Sequence, residues 1–315
     1  MVSLCRIQQL PLDSVKAFVF SHEIYGIQLA ERLEQYILFL KADKADGGTI
    51  EAKAAHAKGF AGDFLCLLED NSLWGVIFAS KAGLVLSCIP QKLPENIFKE
   101  AVPVLSAWFL GKKVYCVSGW SRGVQLIREA LRLCATSGND DFNRQVVEHR
   151  RYLFMCYDGR RCRRELIPQL PVIPCGLGDL EDLYHLQSAY DTVEVLPQKY
   201  PFKSETCREN LHRILALGNV VAIAQEEQTP SGKKFIAKAN FSAVSWRFAL
   251  IGGVYTVEQH RKKGYAGRLV QWMGDEAAKS QRQAVLFVRE ENLAARHAYE
   301  NAGYFFSGNY EIVYY

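Results

Sequence analysis

The stretch HRKKGYAG, residues 260–267, places four cationic or titratable side chains beside three small residues. An apolar segment, 247–257, precedes it, and a segment of helical period, 264–280, follows it. The first amides of a helix lack internal partners, and the helix dipole adds positive potential there. Small residues leave room for phosphate oxygens, so this stretch could hold a pyrophosphate, with added charge from Arg268. The spacing fits neither GxxxxGK[ST] nor GxGxxG, and a solvated turn is the alternative.

Length and composition are those of an ordinary globular protein. The chain has 315 residues, 49% hydrophobic and 23% charged, with a net charge of +4. The length predicts two domains, and so mild a charge gives no support to nucleic-acid binding. The nine cysteines form no CxxC pair and no cluster with histidine at ligand spacing. We therefore predict reduced thiols in a cytoplasm and no metal site.

Two further features bear on location. The first residues contain no apolar signal region. The longest apolar stretch, 74–90, is broken by Lys81 and is typical of paired strands. We predict no membrane span.

The first half, which we place at residues 1–160, predicts a mixture of helices and strands. Apolar periodicity predicts helices over 14–30, 33–40, 95–108 and 124–132. Short apolar runs predict strands over 64–68, 73–80, 84–89, 114–119 and 152–158. The stretches 41–62 and 135–144 are typical of loops, the first with a frayed helix as an alternative. The Arg- and Pro-rich segment 160–176 predicts the domain boundary.

The second half, which we place at residues 165–315, has the same character. The pattern predicts helices over 177–189, 204–217, 264–280 and 292–302. It predicts strands over 220–227, 234–245, 247–257 and 284–288, with two more in 303–315. In the strand 234–245, apolar residues alternate with Lys238, Asn240 and Ser242, which predicts one apolar and one polar face.

Two motifs in this half resemble signatures of the GNAT acetyltransferase superfamily. Arg261, Gly264 and Ala266 match its pyrophosphate loop, Q/R-x-x-G-x-G/A, behind a strand GGVYTV that is similar to the family's own. The stretch LFVREENLAARHAYENAGYF resembles the second signature, LxVxxxNxxAxxxYxxxGF, with Tyr304 in place of its Phe. Six residues fall in matching places: Leu286, Val288, Asn292, Ala295, Tyr299 and Gly303.

The resemblance implies an α/β fold with a mixed sheet of the α+β kind, built from tandem GNAT-like domains. The domain 165–315 would be the catalytic one. The domain 1–160 would be degenerate, because the strand–SGWSRG–helix segment at 114–132 is similar to the family's loop but lacks its spacing. We expect no CoA there, and a role in shaping the acceptor cleft or a homodimer.

The resemblance also implies how acetyl-CoA would be bound. Backbone groups of Val254, Tyr255 and Thr256 would pair with the pantetheine and polarise the thioester carbonyl. Asn292, with Ala295 of the same signature, would bind the pantetheine arm. The turn would hold the pyrophosphate through Arg261, Lys262, Lys263, Gly264, Tyr265, Ala266 and Gly267.

Proton transfer is assigned only in part. Tyr299 would be the general acid that protonates the CoA thiolate, and it shares a helix face with Asn292. A core position is the alternative for this tyrosine. The sequence does not identify the base that deprotonates the amine. The candidates are Glu194, Glu290 and Glu291, but carboxylates in such positions are more often surface acids, and water could accept the proton instead.

The implied function is an acetyl-CoA-dependent N-acetyltransferase, in which a primary amine attacks the thioester directly in a ternary complex. The alternative is an acyl-CoA-binding regulatory protein without turnover, because the segment 247–257 contains no carboxylate. A nucleic-acid-binding module that uses the basic segments 160–164 and 260–263 is a third hypothesis. It lacks a ladder of aromatic and basic residues.

Overall fold

The computed structural model describes residues 1–45, 62–136, 144–197, 199–226 and 233–315. They form two compact units, one of residues 1–151 with 309–315 and one of residues 152–308. None of the helices in these ranges is long and apolar enough to cross a membrane. Most of the predicted loops 41–62 and 135–144, and the turn after residue 226, lie outside the described residues.

The first unit is built on a sheet in the order β1-β2-β3-β4-β5. Neighbours are antiparallel except β4 and β5, which are parallel. Residues 310–314 then pair antiparallel with β5. In chain order the elements are β1 (Val2–Arg6), α1 (Leu12–Ser21), α2 (Ile27–Ala45), β2 (Gly62–Glu69), β3 (Ser72–Ser80), β4 (Leu84–Cys88), α3 (Glu95–Phe109), β5 (Cys116–Trp120), α4 (Ser121–Thr136) and β6 (Glu148–Tyr157).

The second unit repeats this plan in the order β7-β8-β9-β10-β11. Only β10 and β11 are parallel, and residues 152–156 of β6 pair antiparallel with β11. In chain order the elements are β7 (Ile173–Cys175), α5 (Leu180–Tyr190), α6 (Ser204–Ala216), β8 (Val220–Glu226), β9 (Lys233–Val244), β10 (Phe248–Thr256), α7 (Tyr265–Lys279), β11 (Gln283–Arg289), α8 (Leu293–Asn301) and β12 (Tyr304–Tyr314). The predicted mixed α/β architecture with two related halves is confirmed.

Helix periodicity explains how each sheet is covered. In α7, Leu269, Val270, Met273 and Ala277 are buried at spacings of one, three and four residues. They pack with strand residues such as Ile251 in one apolar cluster. Each large side chain removed from water here contributes about 1.5–3 kcal/mol. The basic turn before α7 is thus fixed to a firmly packed helix.

A second apolar layer covers the other side of β8 and β9. Its helical members come from α5 and α6, including Leu183, Leu186 and Leu211. This layer explains a departure from the predicted pattern of β9, because Lys238 and Asn240, expected on a polar face, are buried. Both faces of β9 are therefore interior near its middle.

The units differ from the predicted domains 1–160 and 165–315 in two places. The segment after β6 belongs to the second unit, since Ile167 lies in its core and the Arg163 amide donates to Asn301 O at 2.8 Å. The last residues belong to the first unit because 310–314 find their ladder partner in β5. Arg and Pro content alone indicated the boundary region but not these contacts.

Three secondary-structure predictions are wrong in detail. The helix predicted over 14–30 is broken between Ser21 and Ile27. At the end of the break, Gly26 lies so close to β4 that a Cβ there would be 2.6 Å from the Cβ of Cys88. The two strands predicted in 303–315 form one strand of 11 residues, β12. The short strands β1 and β7 were missed, and Pro174 in β7 is tolerated because β7 lies at a sheet edge.

Candidate active site

The parallel strands β10 and β11 separate partway along their length. Their pairing runs from Phe248 with Gln283 to Ile251 with Leu286 and stops there, although both strands continue. Just beyond, β10 has a bulge toward β9, where Gly253 and Val254 together face one residue. Residues 253–256 therefore have no ladder partner in β11. This leaves a backbone edge with which an extended ligand can pair.

Side chains hold the bulge in place from the β9 side. Gly253 has a φ of +62°, and a Cβ there would overlap Oδ1 of Asn240. Nζ of Lys238 donates to Gly253 O at 3.0 Å. The backbone of Gly253 also opposes the rise that burial causes in the pKa of the Tyr190 phenol. Since a positive φ favours glycine, this bulge depends on a glycine at position 253 and on the side chains that contact it.

Lys238 was missed as a functional candidate by the sequence analysis. It is fully buried, and burial lowers its pKa to about 8, while Asp191 acts in the opposite direction. The available signal was a lysine between Ala237 and Ala239 in an otherwise apolar strand. Its significance depended on the helices that cover β9, which periodicity alone did not position.

The basic turn lies directly before α7, as predicted. Gly264 has a φ of +81° and precedes the helix, whose first turn contains no acidic residue and whose N-terminus has no side-chain cap. The first intrahelical hydrogen bond is donated by the Arg268 amide to Gly264 O. The amides of Tyr265, Ala266 and Gly267 precede it and therefore have no acceptor within the helix.

The cationic side chains of this turn are open to an anion. Arg261, Lys262 and Lys263 are exposed, and none has an ion pair in the described part of the chain. Arg261 Nε donates to Thr256 O at 3.2 Å, and its guanidinium lies 5.8 Å from the Tyr255 ring centroid. This contact places a cation beside the free edge of β10.

Three residues of the motif also have packing roles. A Cβ on Gly264 would lie 2.6 Å from Cδ of Pro168, and one on Gly267 would lie 3.3 Å from Ala298 O. The guanidinium of Arg268 donates to Leu170 O at 2.9 Å and to Gln271 at 2.6 Å. These partners are neutral, so Arg268 keeps its positive charge near the turn, and its contribution there stays a prediction.

The second motif forms the end of β11 and the helix α8. Asn292 is the N-cap of α8, and its Oδ1 accepts from the Ala295 amide at 3.1 Å. Tyr299 is buried, and burial raises the pKa of its phenol, with smaller contributions from Tyr190 and Glu194. The phenol therefore keeps its proton at neutral pH.

The candidate bases differ in their surroundings. Glu194 Oε2 lies 3.3 Å from Nε of Arg289, whose guanidinium also donates to Glu194 O at 3.1 Å. Glu290 and Glu291 are exposed. Asp191, which the sequence analysis did not consider, accepts from Gln187 at 2.8 Å, and burial raises its pKa.

The first unit has no similar turn at the matching place. By element order, the junction 257–264 between β10 and α7 corresponds to 89–94 between β4 and α3. The SGWSRG segment, residues 118–123, instead forms the end of β5 and the start of α4, which is the place of the second motif. The expectation that SGWSRG is a degenerate pyrophosphate loop is therefore wrong, because it follows the wrong strand.

The comparisons with known proteins agree with this architecture. Residues 236–313 match the family model described as FR47-like protein. A comparison with curated protein sequences finds no match.

Several solved structures share the fold over nearly the whole chain. A Drosophila protein from a structural genomics consortium is 13% identical, covers 99% of this chain and 97% of its own, and has a TM-score of 0.63. A GCN5-related N-acetyltransferase from Sphaerobacter thermophilus is 13% identical, with coverages of 99% and 94% and a TM-score of 0.53. A tandem GNAT protein from the clavulanic acid biosynthesis pathway is 10% identical, with coverages of 99% and 98% and a TM-score of 0.50. The resemblance is thus confirmed at the level of the fold: the chain shares the fold of tandem GNAT proteins, and its segment 236–313 matches the FR47-like model.

Proposed function

We propose that the second unit is an acetyl-CoA-dependent N-acetyltransferase, in which a primary amine attacks the thioester directly in a ternary complex. The observation that carries this proposal is the separation of β10 and β11 beside the bulge at Gly253. It supplies a backbone edge without a partner in β11, next to a helix N-terminus that follows three exposed cationic side chains. The GNAT fold supports acetyl transfer in general, and the donor and the amine are our proposals.

The residues at this edge fit the parts of acetyl-CoA. Val254, Tyr255 and Thr256 offer backbone groups to the pantetheine amides. The amides of α7's first turn, with Lys262 and Lys263, suit a pyrophosphate in both charge and geometry. When bound, acetyl-CoA supplies an activated acetyl group as a thioester.

The chain's own contributions are donors and a proton. The Val254 N–H lies outside both ladders and can donate to the acyl oxygen. Tyr299 holds a proton at its phenol oxygen for the leaving thiolate. Asn292 keeps its amide N–H groups for a ligand while its oxygen caps α8. We assign removal of the amine proton to water, because Glu194 is paired with Arg289.

The ion pair between Glu194 and Arg289 also favours a second candidate function. A protein that binds acyl-CoA through the same edge, without turnover, needs no base and would use the same turn as a sensor. The two functions share their binding site and differ only in the release of free CoA.

Calorimetric titration of the full chain with acetyl-CoA tests the binding site first. We expect one site per chain with a micromolar Kd, on the order of −8 kcal/mol. Absence of binding would refute both functions, and two sites would show that the first unit also binds. A panel of primary amines, assayed for free thiol, then separates them: thiol release identifies the enzyme, and binding without release identifies the sensor.

A further inference from the structure

The bulge on β10 contains a peptide group with two separately engaged ends. Its carbonyl belongs to Gly253 and accepts from Nζ of Lys238 at 3.0 Å. Its N–H belongs to Val254, which lies outside the registers of both neighbouring strands. One peptide group therefore connects a buried lysine to the open edge of the site.

A lysine in this position needs an explanation. Lys238 is 0% exposed. Among the described side chains, its ammonium has a hydrogen-bond contact with Oδ1 of Asn240, at a long 3.5 Å. Burying an ammonium is costly, whereas a neutral donor would satisfy the Gly253 carbonyl equally well. The Gly253 carbonyl needs a hydrogen-bond donor but not a positive charge, so the charge of Lys238 requires a separate explanation.

We propose that Lys238 is a positioning residue whose ammonium polarises the Gly253–Val254 peptide group and so strengthens the Val254 N–H as a donor to the acyl oxygen. A cation that donates to the carbonyl draws electron density toward the oxygen and makes the N–H of the same peptide more positive. Hydrogen bonds in a chain polarise one another in this way, and a donor aimed at a developing oxyanion lowers a barrier. This inference rests on the proposed function.

The surroundings of Lys238 make its charge adjustable. Four side chains that can carry or stabilise charge face it from the neighbouring elements: Tyr190 from α5, with its ring centroid 5.2 Å from Nζ, Asp191 from the turn after α5, Cys207 from α6 and Cys175 from β7. Burial lowers the pKa of the lysine to about 8, and the last three act in the opposite direction. Burial raises the pKa of Cys207 to about 12 and raises that of Tyr190, so both of these neighbours keep their protons where Lys238 loses its charge.

Infrared spectroscopy of bound acetyl-CoA carrying carbon-13 at the thioester carbonyl measures this polarisation directly. We expect the carbonyl stretch of the bound ligand to lie below that of free ligand at about pH 6, and to return part of the way by about pH 10, with a midpoint near 8. Lys238→Met, which keeps the length and removes the charge, should give the high-pH frequency at every pH. Lys279→Met, at an exposed lysine, is the control and should behave as wild type.

Lys238→Gln separates the charge from the hydrogen bond, because its amide is a neutral donor. A frequency equal to wild type in Lys238→Gln, or a pH-independent frequency in wild type, would overturn the proposal while leaving acetyl transfer intact. Failure of wild type to bind acetyl-CoA would instead overturn the proposed function. If neither variant folds, the pH titration of wild type decides alone. In turnover, we expect Lys238→Met to lower kcat about tenfold with little change in KM.

Discussion

The two units place the same elements in the same order, but their central strand–helix junctions differ. In the second unit, residues 257–264 carry a basic turn that ends in Gly264, and α7 begins without an acidic residue. In the first unit, α3 begins after Pro94, and its first turn contains Glu95. Arg122 donates to that carboxylate at 2.7 Å and lowers its pKa, so the helix N-terminus already has an anion.

The space between the parallel strands differs in the same sense. In the first unit the pairing of β4 with β5 also stops short, at Leu86 with Ser118, but β4 has no bulge toward β3. A Cβ at Gly119 or Gly123 there would lie within 2.6 Å of the Ser87 hydroxyl. In the second unit β10 continues past its last contact with β11 and bulges at Gly253. The same chain fold therefore carries a bulged and an unbulged version of this strand, and we expect function to follow the local junction and not the topology.

The helix after the fifth strand of each unit completes the contrast. The buried face of α4 is aliphatic, with Val124, Ile127 and Leu131. The buried residue of α8 is Tyr299. A buried phenol is thus found in the unit whose strand β10 has the bulge.

Gly253→Ala should have the largest effect, because it disrupts the bulge that distinguishes the second unit from the first. A Cβ would overlap Oδ1 of Asn240, and the residue would be held at a positive φ, which costs about 1–2 kcal/mol in addition. We expect at least about a hundredfold loss of acetyl-CoA affinity, or about 2.7 kcal/mol, by calorimetry. Gly252→Ala is the matched control, since its Cβ would lie 3.2 Å from the Ser242 hydroxyl. Equal affinities in the two variants would remove the bulge from the binding site.

Tyr299→Phe should affect turnover without affecting binding. We expect kcat to fall about a hundredfold with an acceptor found in the amine panel, while the Kd for acetyl-CoA changes less than about twofold. Tyr304→Phe is the control, because this buried hydroxyl donates to Val270 O at 2.9 Å and its loss should lower the Tm and not kcat. An unchanged kcat in Tyr299→Phe would leave this tyrosine as a core residue.

The sequence predicted most of the second unit because its elements have clear periods and sharp ends. The helix predicted over 264–280 is observed as Tyr265–Lys279, and the strand predicted over 247–257 as Phe248–Thr256. Burial of one face fixes such periods locally. The short strands β1 and β7 carry too few residues for a period, and they depend on their partners β2 and β8.

The parts that could not be predicted depend on contacts distant in sequence. Lys238 became a candidate only because α5 and α6 cover β9, and the hydrogen bond from Arg268 to Leu170 O joins residues 98 positions apart. Likewise, the place of SGWSRG in the repeat follows from strand order, which local pattern does not give. Single-residue chemistry was visible in the sequence, but the environment of each residue was not.

Lys263→Glu should have the smallest effect of the three and tests where the charge acts. Lys263 is exposed before α7, so reversal of its charge should weaken acetyl-CoA binding about tenfold at low salt and less at high salt, because exposed charges are screened. Lys92→Glu makes the same change in net charge at the matching junction of the first unit, where Lys92 is also exposed. We expect it to leave calorimetric affinity unchanged. Equal losses in both variants would mean that overall charge attracts the ligand, and the distinction between the two junctions would then have to rest on the bulge alone.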